Sequence, residues 1–257
     1  DPHFAFHGSI QCGTNDDVGL WIHLFANAVG GFVQFEQGQI ASTGDVDQNA
    51  LGAAQADFVQ QRVGNGFFSS GGAAYLFEFS DLSFSNPTLS ATIGAGYTGG
   101  NNLDLSDQNV LDSNDTFSTI SLDGTRLAVG APQDDGVNDS LTNSGAVYLF
   151  EFADLSFNAP SLSAIIGAGY TGGNNLDLSS SLDANDDFGW YLSLDGARLA
   201  VGATYDDGAN NTVADSGAVY LFEFADLSFN TPSLNAIIGS GYTGGNNVDL
   251  SGMLDAY

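Results

Sequence analysis

Two kinds of acidic loop recur along the chain, and their side chains suit a calcium ion. One is an Asp-x-Asn-Asp segment and the other an Asp-Asp-Gly-x-Asn segment, and each appears twice. Ca²⁺ takes roughly six to eight oxygen ligands from carboxylates, amides and backbone carbonyls. Asp and Asn also cap ordinary turns through their own backbone, which is the alternative interpretation. The candidate ligands are Asp112, Asn114 and Asp115, repeated as Asp183, Asn185 and Asp186, together with Asp134 and Asp135, repeated as Asp206 and Asp207.

The residue types that most often catalyse reactions do not recur with these loops. His3, His7 and His23 all precede residue 37, and Cys12 is the single cysteine. A Ser–His–Asp triad is spatial and can join distant residues, but no spacing here favours one. The small supply of His and Cys also disfavours a zinc site. The sequence therefore predicts a protein that is not an enzyme.

A glutamate recurs inside the most apolar segment, at Glu78, Glu151 and Glu223. An acid in such a run can be buried and perturbed, which is typical of functional sites. Arg126 and Arg198 are the obvious partners, so a structural salt bridge is the favoured interpretation.

Aromatic side chains offer a second kind of binding chemistry, the stacking of sugar rings. Trp21, Trp190 and Tyr191 are the candidate glycan-binding residues. Because Trp190 and Tyr191 are adjacent on a predicted strand, we expect one of them to face the core. Asn114, Asn138 and Asn210 begin Asn-x-Ser/Thr sequons, so they are candidate glycosylation sites in a secreted protein.

A glycine-rich segment, AIIGAGYTGGNNLDLS at 164–179, has the spacing of a dinucleotide-binding loop. That loop must open a helix, but Gly173, Asn174 and Asn175 favour a turn instead. The segment also recurs at 91–106 and 236–251. We interpret it as part of a structural repeat.

The charge of the chain limits the classes of partner. It has 31 acidic residues against three basic ones, a net charge of −28. Such a charge disfavours nucleic acid and anionic membranes, because each phosphate contact needs a compensating cation. It suits a secreted protein, a saline environment, bound divalent cations or simple solubility. No apolar run approaches the ~18 residues of a membrane span.

The repeat has a length of about 72 residues, since Tyr97, Tyr170 and Tyr242 lie 73 and 72 residues apart. The segment SGAVYLFEFADLSFN occurs at 144–158 and again at 216–230. The predicted units are 1–97, with a divergent insertion at 37–70, then 98–170 and 171–243, followed by 244–257 as the start of a fourth unit or a closing and assembly tail.

Each unit reads as four strands, at 188–194, 198–203, 217–224 and 234–241 in the third unit. Asp195-Gly196 predicts a two-residue hairpin between the first two. The only segment with helical character is 49–61. Tandem four-stranded antiparallel units are typical of β-propellers, so we expect an all-β, propeller-like fold.

The segment DDFGWYLSLDGARLAVGA at 186–203 resembles the FG-GAP repeat of integrin-α-type propellers. Phe188-Gly189 matches the first part of that motif, and Gly130-Ala131-Pro132 in the second unit matches the last. The family's own calcium loop is missing at these positions, where Asp123 or Asp195 is the sole acid of a short hairpin.

The resemblance implies an extracellular or cell-surface protein with a structural, adhesive or assembly role. A propeller usually closes with roughly four to eight blades, and three units are fewer than that. We therefore expect either self-association into an oligomer or filament, or a fragment of a longer array of repeats, with calcium as a candidate brace for the loops. The alternative is a carbohydrate-binding propeller module.

Overall fold

The computed structural model describes residues 5–12, 20–29, 32–36, 55–61, 72–81, 84–106, 111 and 115–254, with the backbone alone for the strands before residue 72. All regular elements in these ranges are strands, which confirms the all-β prediction. The segment 49–61 was expected to have helical character, and that expectation is wrong over 55–61. Gln55–Gln61 is a strand that pairs along its whole length with Gly72–Glu78, and this tertiary pairing overrides the local Ala and Gln preference.

The strands form four sheets. The N-terminal sheet contains β1 (Ala5–Cys12), β2 (Leu20–Val29) and β3 (Phe32–Glu36). Sheet I contains β4 (Gln55–Gln61), β5 (Gly72–Glu78), β6 (Thr88–Gly94) and β7 (Leu103–Asp104). Sheet II contains β8 (Thr119–Asp123), β9 (Arg126–Ala131), β10 (Ala146–Glu151), β11 (Ser161–Gly167) and β12 (Leu176–Asp177). Sheet III contains β13 (Phe188–Asp195), β14 (Arg198–Ala203), β15 (Ala218–Glu223), β16 (Ser233–Gly239) and β17 (Val248–Asp249).

Sheets II and III each contain the four predicted antiparallel strands and one more. The extra strand has two residues and pairs in parallel with its neighbour, as Ile238 with Val248 in sheet III. The expected four-stranded unit is therefore a mixed, five-stranded sheet. An asparagine side chain supports this edge, because Asn247 Oδ1 accepts a hydrogen bond from Ile237 N at 2.8 Å.

The predicted hairpin between β13 and β14 is confirmed. Asp195 pairs with Arg198, which leaves Gly196 and Ala197 as a two-residue loop. Gly196 has a φ of 53°, a left-handed conformation that glycine adopts without a steric penalty.

Sheets II and III pack face to face through backbone that comes unusually close. Gly145 forms an isolated parallel bridge with Phe188. A Cβ atom on Gly130 would lie 1.9 Å from the carbonyl oxygen of Gly189, so no larger residue fits there. Sheet I meets sheet II in the same way, since a Cβ on Gly72 would lie 2.5 Å from the Cβ of Phe117. The repeats therefore stack through recurring glycine contacts.

Polar groups fix the register of this stack. Ser121 Oγ accepts a hydrogen bond from Leu194 N at 3.1 Å, and Asp123 Oδ2 accepts one from Gly196 N at 3.0 Å. Arg126 donates to the carbonyl oxygen of Gly196 at 2.6 Å and lies 5.4 Å from the ring centroid of Phe229. Two apolar cores result, one around Tyr148 and Phe150 and one around Phe188 and Tyr220.

Candidate functional site

The predicted acidic loops meet two tyrosines inside each repeat. Asp206 is 1 % exposed and follows β14. Its carboxylate accepts hydrogen bonds from Tyr220 at 2.6 Å, from Tyr242 at 2.9 Å and from the backbone N–H of Gly208 at 2.8 Å. A buried carboxylate needs such donors, because an unpaired one would be costly.

The same cluster is present in the second repeat. Asp134 accepts hydrogen bonds from Tyr148, from Tyr170 at 3.0 Å and from Gly136 N at 2.8 Å. The spacing is constant, since each acid precedes its tyrosines by 14 and 36 residues. In the sequence, Tyr170 and Tyr242 serve only to define the length of the repeat. Their regular offset from a recurring aspartate is the signal that identifies the cluster.

The tyrosines of these clusters act as hydrogen-bond donors. Burial and the neighbouring Asp206 carboxylate raise the pKa of Tyr220 far above its usual value. The pKa values of Tyr148, Tyr170 and Tyr242 are raised as well, each mainly by burial. Phenols that stay protonated are neither bases nor nucleophiles at neutral pH, so these contacts fasten the acidic loop to a strand and to a second loop.

The two predicted calcium loops of a repeat lie next to each other. Asp186 is 4 % exposed and accepts a hydrogen bond from Asp183 N at 2.7 Å. Burial raises the pKa of Asp186 to about 7, with the charges of Asp206, Asp183 and Asp207 acting in the same direction. Asp115 is the equivalent buried acid of the second repeat.

Other predicted ligands serve the turns. Asp135 Oδ1 accepts a hydrogen bond from Asn143 N at 2.6 Å, and Asp207 Oδ1 accepts one from Asp215 N at 2.7 Å. Asn185 Oδ1 accepts one from Asn143 Nδ2 at 3.3 Å. Asp112 and Asn114 lie outside the described residues. Across the described ranges, no three His, Cys, Asp or Glu side chains converge as a metal site, and calcium stays a prediction.

The predicted glycan-binding aromatics of sheet III are both on the surface. Trp190 is 36 % exposed and Tyr191 is 66 % exposed, so the expectation that one faces the core is wrong. The reason is a β-bulge between Phe188 and Tyr191, which breaks the alternation of the strand. Trp190 also meets Tyr205 edge to face, with ring centroids 6.4 Å apart. The side chain of Trp21 lies outside the description.

The recurring glutamates do not pair with the arginines as expected. Glu151 accepts a hydrogen bond from Ser163 at 2.6 Å, and Glu223 accepts one from Asn235 at 2.7 Å. The carboxylate partner of Arg126 is Asp123, three residues earlier. Asp123 on β8 and Glu151 on β10 both lie opposite Arg126, and the guanidinium forms its ion pair with Asp123.

The glycosylation candidates Asn138 and Asn210 are exposed, with φ values of 59° and 62°. Asparagine tolerates this left-handed conformation better than most residues. Both therefore lie at accessible loop positions, as the sequons require.

In the described ranges there is no helix of the length and apolarity that a membrane crossing needs.

Comparison with known proteins identifies the type of repeat in this chain. A search of curated proteins returns no match to the chain. A family model described as the FG-GAP repeat matches residues 111–150 and 178–222. These segments hold β8 and β9 of sheet II and β13 and β14 of sheet III, so the chain carries repeats of the FG-GAP type.

Proposed function

We propose that the chain is a non-enzymatic structural or adhesive module outside the cell, and that copies of it associate with one another. FG-GAP repeats suggest a propeller-like, adhesion-type module, are typical of extracellular or surface proteins and are generally non-enzymatic. The tyrosine–aspartate clusters support this proposal, because their side chains hold loops in place with donors and acceptors already matched.

One observation carries the proposed association. The outward side of sheet III exposes apolar side chains, among them Val219 at 39 %, while the equivalent Val147 in sheet II is fully buried by sheet III. Contiguous exposed apolar surface is typical of an interaction site. The uncovered side therefore supports binding to another protein surface.

The first test is the mass of the protein in solution by light scattering at several concentrations. We expect masses at multiples of 26.6 kDa that grow with concentration. A mass of 26.6 kDa at every concentration would contradict self-association.

Calcium as a brace for the acidic loops belongs to the same proposal. A divalent ion beside Asp186 and Asp206 would neutralise carboxylates that burial penalises. We expect millimolar Ca²⁺ to raise the thermal unfolding midpoint at pH 7.5, and Mg²⁺ to do so less because it demands a stricter octahedral geometry. An unchanged midpoint in Ca²⁺ would remove calcium from the proposal.

The exposed aromatic patch of Trp190, Tyr191 and Tyr205 supports a second candidate function, carbohydrate binding. Exposed aromatic rings stack on sugars without needing a deep pocket. A glycan array followed by titration of any hit tests this function. Binding that Trp190→Ala abolishes and Leu227→Ala preserves would support it, and an array without hits would contradict it.

A further inference from the structure

The outward side of sheet III consists of residues whose equivalents in sheet II are all buried. We name it the trailing face, formed by Arg198, Ala200, Gly202, Val219 and Leu221. The equivalent residues of sheet II are Arg126, Ala128, Gly130, Val147 and Leu149, and sheet III covers them. The contact between sheets II and III is thus a template for what fits the trailing face.

Gly202 shows that this face has the shape of a docking site. A Cβ on Gly130 would collide with the backbone of sheet III, whereas a Cβ on Gly202 would meet nothing closer than Tyr191 Cβ at 3.5 Å. The φ of Gly202 is not left-handed, so conformation does not require glycine there. Glycine within a strand lowers stability, so its presence fits a surface that another backbone approaches closely.

The first repeat carries a complementary surface, which we name the leading face, marked by Phe84 and Ser85. Their equivalents in later repeats are covered, since Phe157 and Phe229 are fully buried. Asn158 accepts a hydrogen bond from Asn101 at 2.9 Å, and Asn230 accepts one from Asn174 at 3.1 Å. Phe84 and Ser85 are only half-buried.

The donors in this series come from the preceding sheet each time, since Asn101 lies between β6 and β7 of sheet I and Asn174 between β11 and β12 of sheet II. Asn101 and Asn174 lie in the GGNN loops, and the third such loop supplies Asn246, which is exposed. Arg126 covers Phe229 of the next repeat in the same manner, and its equivalent Arg198 is exposed. Arg198 and Asn246 therefore have counterparts on the leading face, in Phe84 and Ser85.

We infer that the trailing face of one copy of this chain binds the leading face of a second copy. Arg198 then covers Phe84 of the second copy, and Asn246 donates to its Ser85. Gly202 admits main chain of the second copy's first repeat. The contact joins two different faces, so it either closes into a ring or extends as a filament.

This inference rests on the proposed self-association, and the test separates the two. Sedimentation velocity compares the wild type with Gly202→Ala, with Arg198→Ala and with the control Leu227→Ala, an exposed leucine outside both faces. We expect Gly202→Ala and Arg198→Ala to weaken assembly by about tenfold or more, since the first adds a Cβ where backbone of the partner approaches and the second removes the guanidinium that covers Phe84. The control should assemble like the wild type.

A monomeric wild type would overturn the proposed self-association and this inference together. A wild type that assembles while Gly202→Ala and Arg198→Ala assemble equally well would overturn the inference alone. Circular dichroism and the unfolding midpoint of each variant show that the loss is not a loss of folding. The room around Gly202 makes its substitution tolerable in a single copy.

The identity of the partner surface needs a second measurement. A photo-reactive benzoylphenylalanine at position 219 is irradiated in the assembled protein, and the cross-linked peptides are identified by mass spectrometry. We expect cross-links to peptides of the first repeat, within 1–97, formed between isotopically distinct copies. Cross-links confined to other repeats would overturn the assignment of the leading face.

Discussion

Asp206 is central to the local structure of the third repeat. Its carboxylate is buried, and the donors come from β15, from the loop after β16 and from its own turn. Hydrogen bonds to a charged acceptor are stronger than neutral ones. One carboxylate therefore connects three segments that are far apart in the sequence.

Replacement of Tyr242 by Phe removes one donor from this carboxylate. We expect Tyr242→Phe to lower the free energy of unfolding by about 1–2 kcal/mol, because a buried charged acceptor loses a partner and no water replaces it easily. Guanidinium denaturation followed by tryptophan fluorescence measures the change. Tyr191→Phe is the control, since that hydroxyl is 66 % exposed and in contact with solvent. Equal stability of the two variants would contradict a structural role for the cluster.

Asp186 predicts how stability varies with pH. Burial raises its folded-state pKa to about 7 from an ordinary value of 3.8, so the native state binds more protons than the unfolded state between these values. The contribution of Asp186 to stability is therefore greatest below that window and falls as the pH rises through it. We expect Asp186→Asn to raise the unfolding midpoint at pH 8, since the amide keeps the hydrogen bond from Asp183 N without the buried charge.

The measurement is the thermal unfolding midpoint of each variant at a series of pH values between about 5 and 8, in a metal-free buffer. Asp187 is half-buried, and burial raises its pKa to about 6, so part of the wild-type slope remains in Asp186→Asn. Asp215→Asn is the matched control, an exposed acid of a nearby loop with a left-handed φ that asparagine tolerates. A slope that Asp186→Asn leaves unchanged would contradict the assignment.

At the scale of elements, the strands of the regular repeats follow from the sequence. Alternating apolar residues and the Asp195-Gly196 turn place β13 and β14 within one or two residues of their observed ends. The exposure of Trp190 does not follow from alternation, because Gly189 is one residue more than the second repeat has and creates the bulge. Gly189 has a φ of 98°, which few other residues adopt.

The tyrosine–aspartate cluster is harder to predict for a different reason. Asp206 and Tyr242 are 36 residues apart, and neither is unusual in its own segment. Only the folding of β14 to β16 side by side brings them together. The strand at Gln55–Gln61 is a similar case, since its partner β5 determines its conformation.

Contacts between sheets II and III provide the element-scale prediction. Arg126 is 5 % exposed, and its guanidinium pairs with Asp123, with Gly196 O and with the ring of Phe229. We expect Arg126→Ala to lower the free energy of unfolding by about 2–3 kcal/mol, because the half-buried Asp123 and Gly196 O lose a charged donor and the ring of Phe229 loses its cation. Chemical denaturation of dilute, monomeric protein measures the change.

Arg198→Ala is the matched control for Arg126→Ala. Arg198 occupies the same position of the next repeat, but its side chain is exposed. Its loss from a single copy should change stability by less than about 0.5 kcal/mol. Similar losses for the two variants would show that the contact between sheets contributes little.

At the scale of the whole molecule, two opposing forces act on the assembly of copies. The net charge of −28 on each chain opposes any contact between copies. The trailing face contributes apolar groups and Arg198, one of only three basic residues. Burial of apolar area is insensitive to moderate salt, while repulsion between distant charges is screened by it.

We therefore expect salt to strengthen self-association. Between about 50 and 500 mM NaCl the screening length falls severalfold, so the repulsion between two acidic copies decreases while the apolar contact persists. Sedimentation velocity in EDTA measures the dissociation constant at each salt concentration without a contribution from divalent cations. Gly202→Ala should assemble about tenfold or more weakly than the wild type at every salt concentration, since salt does not relieve a backbone clash. Association that weakens with salt would instead indicate that charge pairs dominate the interface, and would exclude the apolar trailing face as its main source of affinity.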